Sequence, residues 1–321
     1  MGESEGRSPS GMKMLKPRAL RAGDRVAVVA PASSFARDGF DAGIAELQRL
    51  GFETVYDDSV FARSRYTAGA PELRAAAFRR AWTDPSIAAL IAVRGGYGSV
   101  QMLPFLHTAE IHRTPKAFIG YSDNTSLLTW ITGQCGVVGY HGPMLEGRLA
   151  RGEAGYDRDT FERVLMRASA PGAITHDSVV AIRPGEASGI LAGGTLTQLV
   201  ASLGTPYAFD PPPGHILFLD EVAERPYRID RMLTQLRLSG ILSRASALVF
   251  GELPRCDEPS DGGPSIRSVV ADLTDGFPGP VLFGLPSGHT TGACLTLPLG
   301  VAARVVTNPS PVLIIEEAAV A

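Results

Sequence analysis

The sequence predicts an α/β protein in two domains, the first built on a parallel sheet and the second richer in strands. Three observations carry this reading. Apolar runs of strand length alternate with segments of helical spacing from residue 25 onward. The 321-residue length exceeds what one core usually serves. Apolar residues make up 45% of the chain and charged residues 20%, enough to build a core and too little charge for disorder.

The first strand is read at residues 25–30, ended by Pro31, with a helix at 40–50 where apolar residues recur on one face. A second strand at 51–55 leads through a polar loop to a helix at 71–83 that opens on proline, the residue best tolerated in a first turn. The run at 88–93 is wholly apolar and reads as a strand buried on both faces. It ends in the turn Arg94-Gly95-Gly96-Tyr97-Gly98, and a helix is expected through Leu103 and Leu106. A strand at 117–120, a helix at 124–132 and a strand at 137–140 complete the first domain. Strands alternating with helices imply a parallel sheet covered on both faces.

The pattern weakens between residues 146 and 188, around one helix at 161–167. The expected organisation is therefore a disordered tail at 1–16, a first domain at 17–150, a linker at 151–187 and a second domain at 188–321. In the second domain, helices are read at 196–203, 229–238 and 266–273, and strands at 216–219 and 247–250. Its end is β-rich, at 281–283, 295–299 and 303–315.

Thirty basic residues against thirty-three acidic ones, with no basic block, argue against a nucleic-acid partner. Cys135, Cys256 and Cys294 are too widely spaced for a zinc site, and no His/Asp/Glu spacing supports another metal, so buried free thiols are expected. No apolar run reaches the length of a membrane span, and the first sixteen residues lack a signal-peptide core, so a cytoplasmic protein is expected.

Gly120-Tyr121-Ser122-Asp123-Asn124 lies where a buried strand passes into a helix. A nucleophile elbow needs that setting, because a tight turn lifts the serine hydroxyl clear of the sheet. A plain helix cap by Ser122 or Asp123 fits the same residues. The 94–98 turn suits backbone donors facing an anion, or is a simple tight turn; its spacing fails the dinucleotide fingerprint. Of six histidines, His107, His112, His176 and His215 lie in polar surroundings, while His141 and His289 follow strands and are candidates for a site. Asp220, Glu221 and Glu224 leave the strand at 216–219, at the end where open α/β sheets bind ligands.

Taken in order, these segments resemble the LD-carboxypeptidase family of serine peptidases, which includes murein tetrapeptide carboxypeptidase and the microcin C immunity hydrolases. The likeness rests on VAPAS at 29–33, RGGYG at 94–98, GYSD at 120–123, YHGPM at 140–144 and LAGGTL at 191–196. It continues in GTPY at 204–207, PYRIDRML at 226–233, GLPSGH at 284–289 and TLPLG at 296–300. The resemblance implies a Rossmann-like (flavodoxin-like) first domain, a β-rich α/β second domain, and an active site at their interface. It makes Ser122 the nucleophile and His289 the base, with Asp220 the acid where the family pattern has glutamate. Glu221 is the alternative acid, although adjacent strand residues point to opposite faces. Thr195 stands where relatives commonly carry Asn. Gly95, Gly96 and Asp123 would supply the oxyanion hole, and Arg94, Tyr97, His141 and Arg228 would contact substrate. The implied reaction removes the terminal D-alanine from a cytoplasmic muropeptide in a homodimer without a cofactor.

Overall fold

The computed structural model describes residues 14–258 and 263–321. The first sheet takes its five parallel strands from β1 (Arg25–Val29), β2 (Glu53–Val55), β3 (Ile87–Ala92), β4 (Ala117–Gly120) and β5 (Gly139–His141). Their spatial order, β5-β4-β3-β1-β2, is that of a flavodoxin-like sheet. Its helices are α1 (Arg37–Arg49), α2 (Pro71–Thr83), α3 (Thr108–Arg113) and α4 (Thr125–Gly133). Every residue of β3 and β4 is buried, as all-apolar strands in a doubly covered sheet must be.

α2 falls where expected, with Pro71 in its first turn. α1 starts before the predicted Phe40, because its first turn is the polar Arg37-Asp38, which periodicity does not see. Residues 99–105 form a 3₁₀ helix around Pro104, and α3 was not anticipated. It buries only Ile111, too little to leave an apolar period.

Beyond β5 come α5 (Arg158–Leu165), β6 (Gly172–Ile174), β7 (Val180–Arg183), β8 (Glu186–Thr195), α6 (Leu196–Ser202), β9 (Ile216–Asp220) and α7 (Pro226–Leu238). α8 (Ile241–Arg244), β10 (Ala247–Gly251), α9 (Ile266–Leu273), β11 (Val281–Leu285), β12 (Leu297–Leu299), β13 (Ala302–Val306) and β14 (Val312–Ile315) follow. Eight of these strands form a second sheet in the order β6-β14-β13-β8-β9-β10-β11-β7. β8, β9, β10 and β11 run parallel to one another, and every pairing outside them is antiparallel.

Three expectations about the domains need correction. Residues 151–187 are not a bare linker, since β6 and β7 are the two edge strands of the second sheet. They are short and half-exposed, so neither shows a strand pattern. β12 does not join the second sheet; it pairs antiparallel with β5, Leu297 opposite His141, and closes one edge of the first. The expected tail at 1–16 lies outside the described residues up to position 13, but Leu15 bridges to Val137 and Lys16 pairs with Glu317 at 2.8 Å. Among the described residues, no helix is long and apolar enough to cross a membrane.

Candidate active site

The carboxyl ends of β1, β3 and β4 come together where strand order reverses, the position at which open α/β sheets bind ligands. After β1, the Ser33 N–H donates to Gly95 O at 3.2 Å, and Ser33 Oγ accepts from the Tyr97 N–H at 3.1 Å. After β4, Ser122 adopts φ +62°, a left-handed conformation that costs a non-glycine residue energy and that the elbow requires. The two turns touch: a Cβ on Gly95 would lie 2.7 Å from Ser122 Cβ and 2.9 Å from its Oγ. Glycine is what lets the backbone of one turn lie directly against the serine of the other. Among the described residues, the N–H groups of Gly95, Gly96 and Asp123 have no acceptor.

The Asp123 side chain turns the other way. Its Oδ2 accepts from the Ser99 N–H at 2.7 Å, and its backbone oxygen accepts from Ser99 Oγ at 2.5 Å. Burial raises its carboxyl above the usual range, with the Ser99 contacts and Arg74 opposing. Only the backbone of Asp123 faces the site.

From the second sheet, β9 delivers Asp220, which is fully buried. Its Oδ2 accepts from His289 Nδ1 at 2.7 Å, and its Oδ1 accepts from the His289 N–H at 3.1 Å. Thr195, opposite Asp220 in the strand pairing, donates to Oδ2 at 3.3 Å. The shorter acid thus holds both the ring and the backbone of the same histidine. Gly288 makes this reach sufficient, since a Cβ there would fall 2.5 Å from Asp220 Oδ2. Burial works against the imidazolium, but the charge and hydrogen bond of Asp220 outweigh it and raise the His289 pKa. With Nδ1 committed, Nε2 has no hydrogen bond among the described residues and the side chain stays 17% exposed. The His289 ring packs edge-on to Tyr121, the residue before Ser122, with centroids 5.1 Å apart.

Glu221 does not compete for the histidine. Just past the end of β9, it turns away from the histidine and binds the start of α6, accepting from Thr197 N at 2.9 Å and Thr197 Oγ1 at 2.6 Å. Burial raises its pKa against those bonds.

The expected substrate contacts divide. Tyr97 is 45% exposed beside the glycine turn, its ring 5.5 Å from that of Tyr66. Arg94 is partly engaged, by Glu146 at 3.3 Å and by Ser34 O at 3.2 Å. His141 cannot meet a ligand here, because it is fully buried beneath Gly288 and its Nδ1 is bound to Ser287 Oγ at 3.1 Å. Burial drives its pKa down to about 4. The Ser287 hydroxyl donates to Leu295 O, so it accepts from His141, which fixes a neutral ring with its proton on Nδ1. Arg228 pairs with Glu224 at 3.2 Å and Tyr227 Oη at 3.2 Å and touches none of Ser122, Asp220 and His289. Tyr121 and Ser287 support the site without having been singled out for it, and Thr195, noted only as a departure from the family pattern, binds Asp220. Arg148 was missed outright: it is buried and binds the loop that carries His289.

Residues 26–142 match the LD-carboxypeptidase N-terminal domain and residues 188–305 the LD-carboxypeptidase C-terminal domain. The murein tetrapeptide carboxypeptidase of Pseudomonas aeruginosa is 33% identical, over 83% of this chain and 88% of its own length. A crystal structure of muramoyltetrapeptide carboxypeptidase from Oxalobacter formigenes superposes with a TM-score of 0.80 at 30% identity, covering 92% of this chain and 99% of that one. The microcin C7 self immunity protein in complex with aspartyl sulfamoyl adenosine superposes with a TM-score of 0.87 at 25% identity, covering 96% and 100%.

Proposed function

Because the chain belongs to the LD-carboxypeptidase family, we propose that it is a serine-dependent LD-carboxypeptidase that removes the terminal D-alanine from cytoplasmic muropeptide tetrapeptides, acting as a homodimer. The observation that carries the reading is the Asp220–His289 pair, whose ring leaves Nε2 unbound and packs against Tyr121, the residue before the strained Ser122.

In this scheme Nε2 takes the Ser122 proton as Oγ attacks the carbonyl of the amide linking an L-configured centre to D-alanine. Asp220 holds the Nδ1–H tautomer and stabilises the imidazolium. The N–H groups of Gly95, Gly96 and Asp123 receive the oxyanion, where one lost donor typically costs about 3 kcal/mol of barrier. Collapse breaks the C–N bond, and His289 protonates the leaving amine of D-alanine. Water, deprotonated by the same imidazole, then cleaves the ester and frees the shortened peptide. Ser122 and His289 form no hydrogen bond at rest, and such contacts commonly tighten only when substrate binds.

The likeness to the self immunity protein favours a second reading, hydrolysis of a peptidyl or aminoacyl nucleotide. One experiment separates the two: incubate the protein with a disaccharide tetrapeptide or with an aminoacyl sulfamoyl adenosine, and follow products by mass spectrometry. Release of free D-alanine by the wild type, abolished in Ser122→Ala, is expected. Cleavage of the nucleotide substrate alone selects the second reading, and undiminished release by Ser122→Ala removes Ser122 from the chemistry.

A further inference from the structure

We propose that Arg148 is a positioning residue that pins the peptide carrying His289 and so sets the imidazole against Asp220 and toward Ser122. Its guanidinium is buried and forms no ion pair with a carboxylate among the described residues. A buried charge without a counter-ion is costly unless its donors are met. Here they are met almost entirely by one short loop: Nη2 donates to Gly288 O at 2.8 Å and Thr290 O at 2.9 Å, and Nη1 donates to Gly292 O at 2.9 Å. The two carbonyls gripped by Nη2 flank His289 on either side. Nε donates to Tyr121 Oη at 3.3 Å, which ties the same guanidinium to the residue before Ser122.

One planar fork therefore fixes the His289 backbone from the first half of the chain, while Asp220 fixes its N–H and its ring from the second. An ammonium could not span these acceptors, because the guanidinium presents several donors in a fixed plane. The charged and titratable groups around His289 are Asp220 at the end of β9, Arg148, the buried His141 and the Tyr121 ring, with Glu221, turned away, acting on it only through its charge. Among these, Asp220 raises the imidazole pKa and Arg148 lowers it. Replacing arginine by lysine keeps the charge and removes the fork, so the variant reports on position and not on electrostatics.

The inference rests on the proposed triad, and the test reads the two separately. In Arg148→Lys, kcat for D-alanine release is expected to fall between about 10-fold and 100-fold with KM changed less than about threefold, the signature of a misplaced catalytic group. The His289 imidazole, followed by NMR without substrate, is expected to titrate lower than in the wild type as its hold on Asp220 loosens. A folded Arg148→Lys protein with unchanged kcat and unchanged His289 titration overturns the proposal. If that variant does not fold, Tyr121→Phe, which removes only the Nε acceptor, is expected to shift both readouts in the same directions by less, and no shift in either overturns it. A wild type that releases no D-alanine, with the titration still displaced in the variant, rejects the substrate and leaves Arg148 in its role.

Discussion

Ser122 holds a backbone conformation that a serine has no intrinsic reason to adopt, and the left-handed region costs a non-glycine residue about 1–2 kcal/mol. That strain lifts Oγ over the Gly95 turn, so the site stores it for function. Ser122→Gly should therefore lose all hydrolysis yet gain about 1 kcal/mol of stability, measured by urea unfolding, where Ser122→Ala should gain nothing. The two neighbouring acids part company for a similarly local reason. Asp220→Asn should lower kcat by about 10⁴-fold, as expected when the orienting acid of a triad is lost. The raised His289 pKa places the acid limb of the wild-type pH profile above the usual imidazole value, because the base works only when neutral and protonates as pH falls through that pKa. Without the carboxylate charge the limb should move to lower pH. Glu221→Gln should instead leave turnover within about threefold and lower stability by about 1 kcal/mol, the worth of a lost helix-start contact. Ser122, Asp220 and His289 were legible because each ends a buried strand or follows one in a recognisable string. Arg148 was not, since its acceptors lie as far as 144 residues away and no local pattern marks it.

At the scale of elements, the elbow works because two strand ends in one sheet present complementary turns. β3 and β4 are hydrogen-bonded neighbours, so their carboxyl ends emerge side by side and Gly95 abuts Ser122. A methyl group at position 95 would press on Ser122 Cβ and Oγ, at 2.7 and 2.9 Å, against the turn proposed to supply oxyanion donors. Gly95→Ala should cut kcat/KM by about 100-fold or more, close to the loss of one oxyanion donor, and lower the thermal midpoint as well, since the added Cβ would lie 2.7 Å from Ser122 Cβ. Full activity in a folded Gly95→Ala protein would remove this turn from the site. β3 was visible in the sequence as a continuous apolar run, and α2 and α7 because their apolar residues recur along one face. α3, β6 and β7 were not, because each is short and exposes much of itself. His141 shows the same limit: its place after β5 marked it as site-facing, and only the closing of β12 over β5 reveals that it is sealed under the loop.

Over the whole molecule, the halves are interleaved more deeply than two successive domains would be. β12 returns from the second half to close the first sheet, while β6 and β7 leave the expected linker to edge the second. The major core follows suit, joining Val28, Leu90 and Ile119 of the first sheet to Leu191, Phe218, Val249 and Ile315 of the second. The proposed triad depends on this, since Ser122 and Arg148 come from one half and Asp220 and His289 from the other. A chain ending at residue 187 would keep β1 to β5 but lose β12, leaving the β5 edge and its buried neighbours open to water. Heating the intact protein should thus give one cooperative transition by calorimetry, with His289 mobility and bulk secondary structure lost together. The 1–187 fragment should be insoluble or unfolded when expressed alone. Two resolved transitions, or a soluble fragment with a native-like melting curve, would show that the first half folds without its borrowed strand. The triad would then be assembled by docking after folding, and not by the folding of a single shared core.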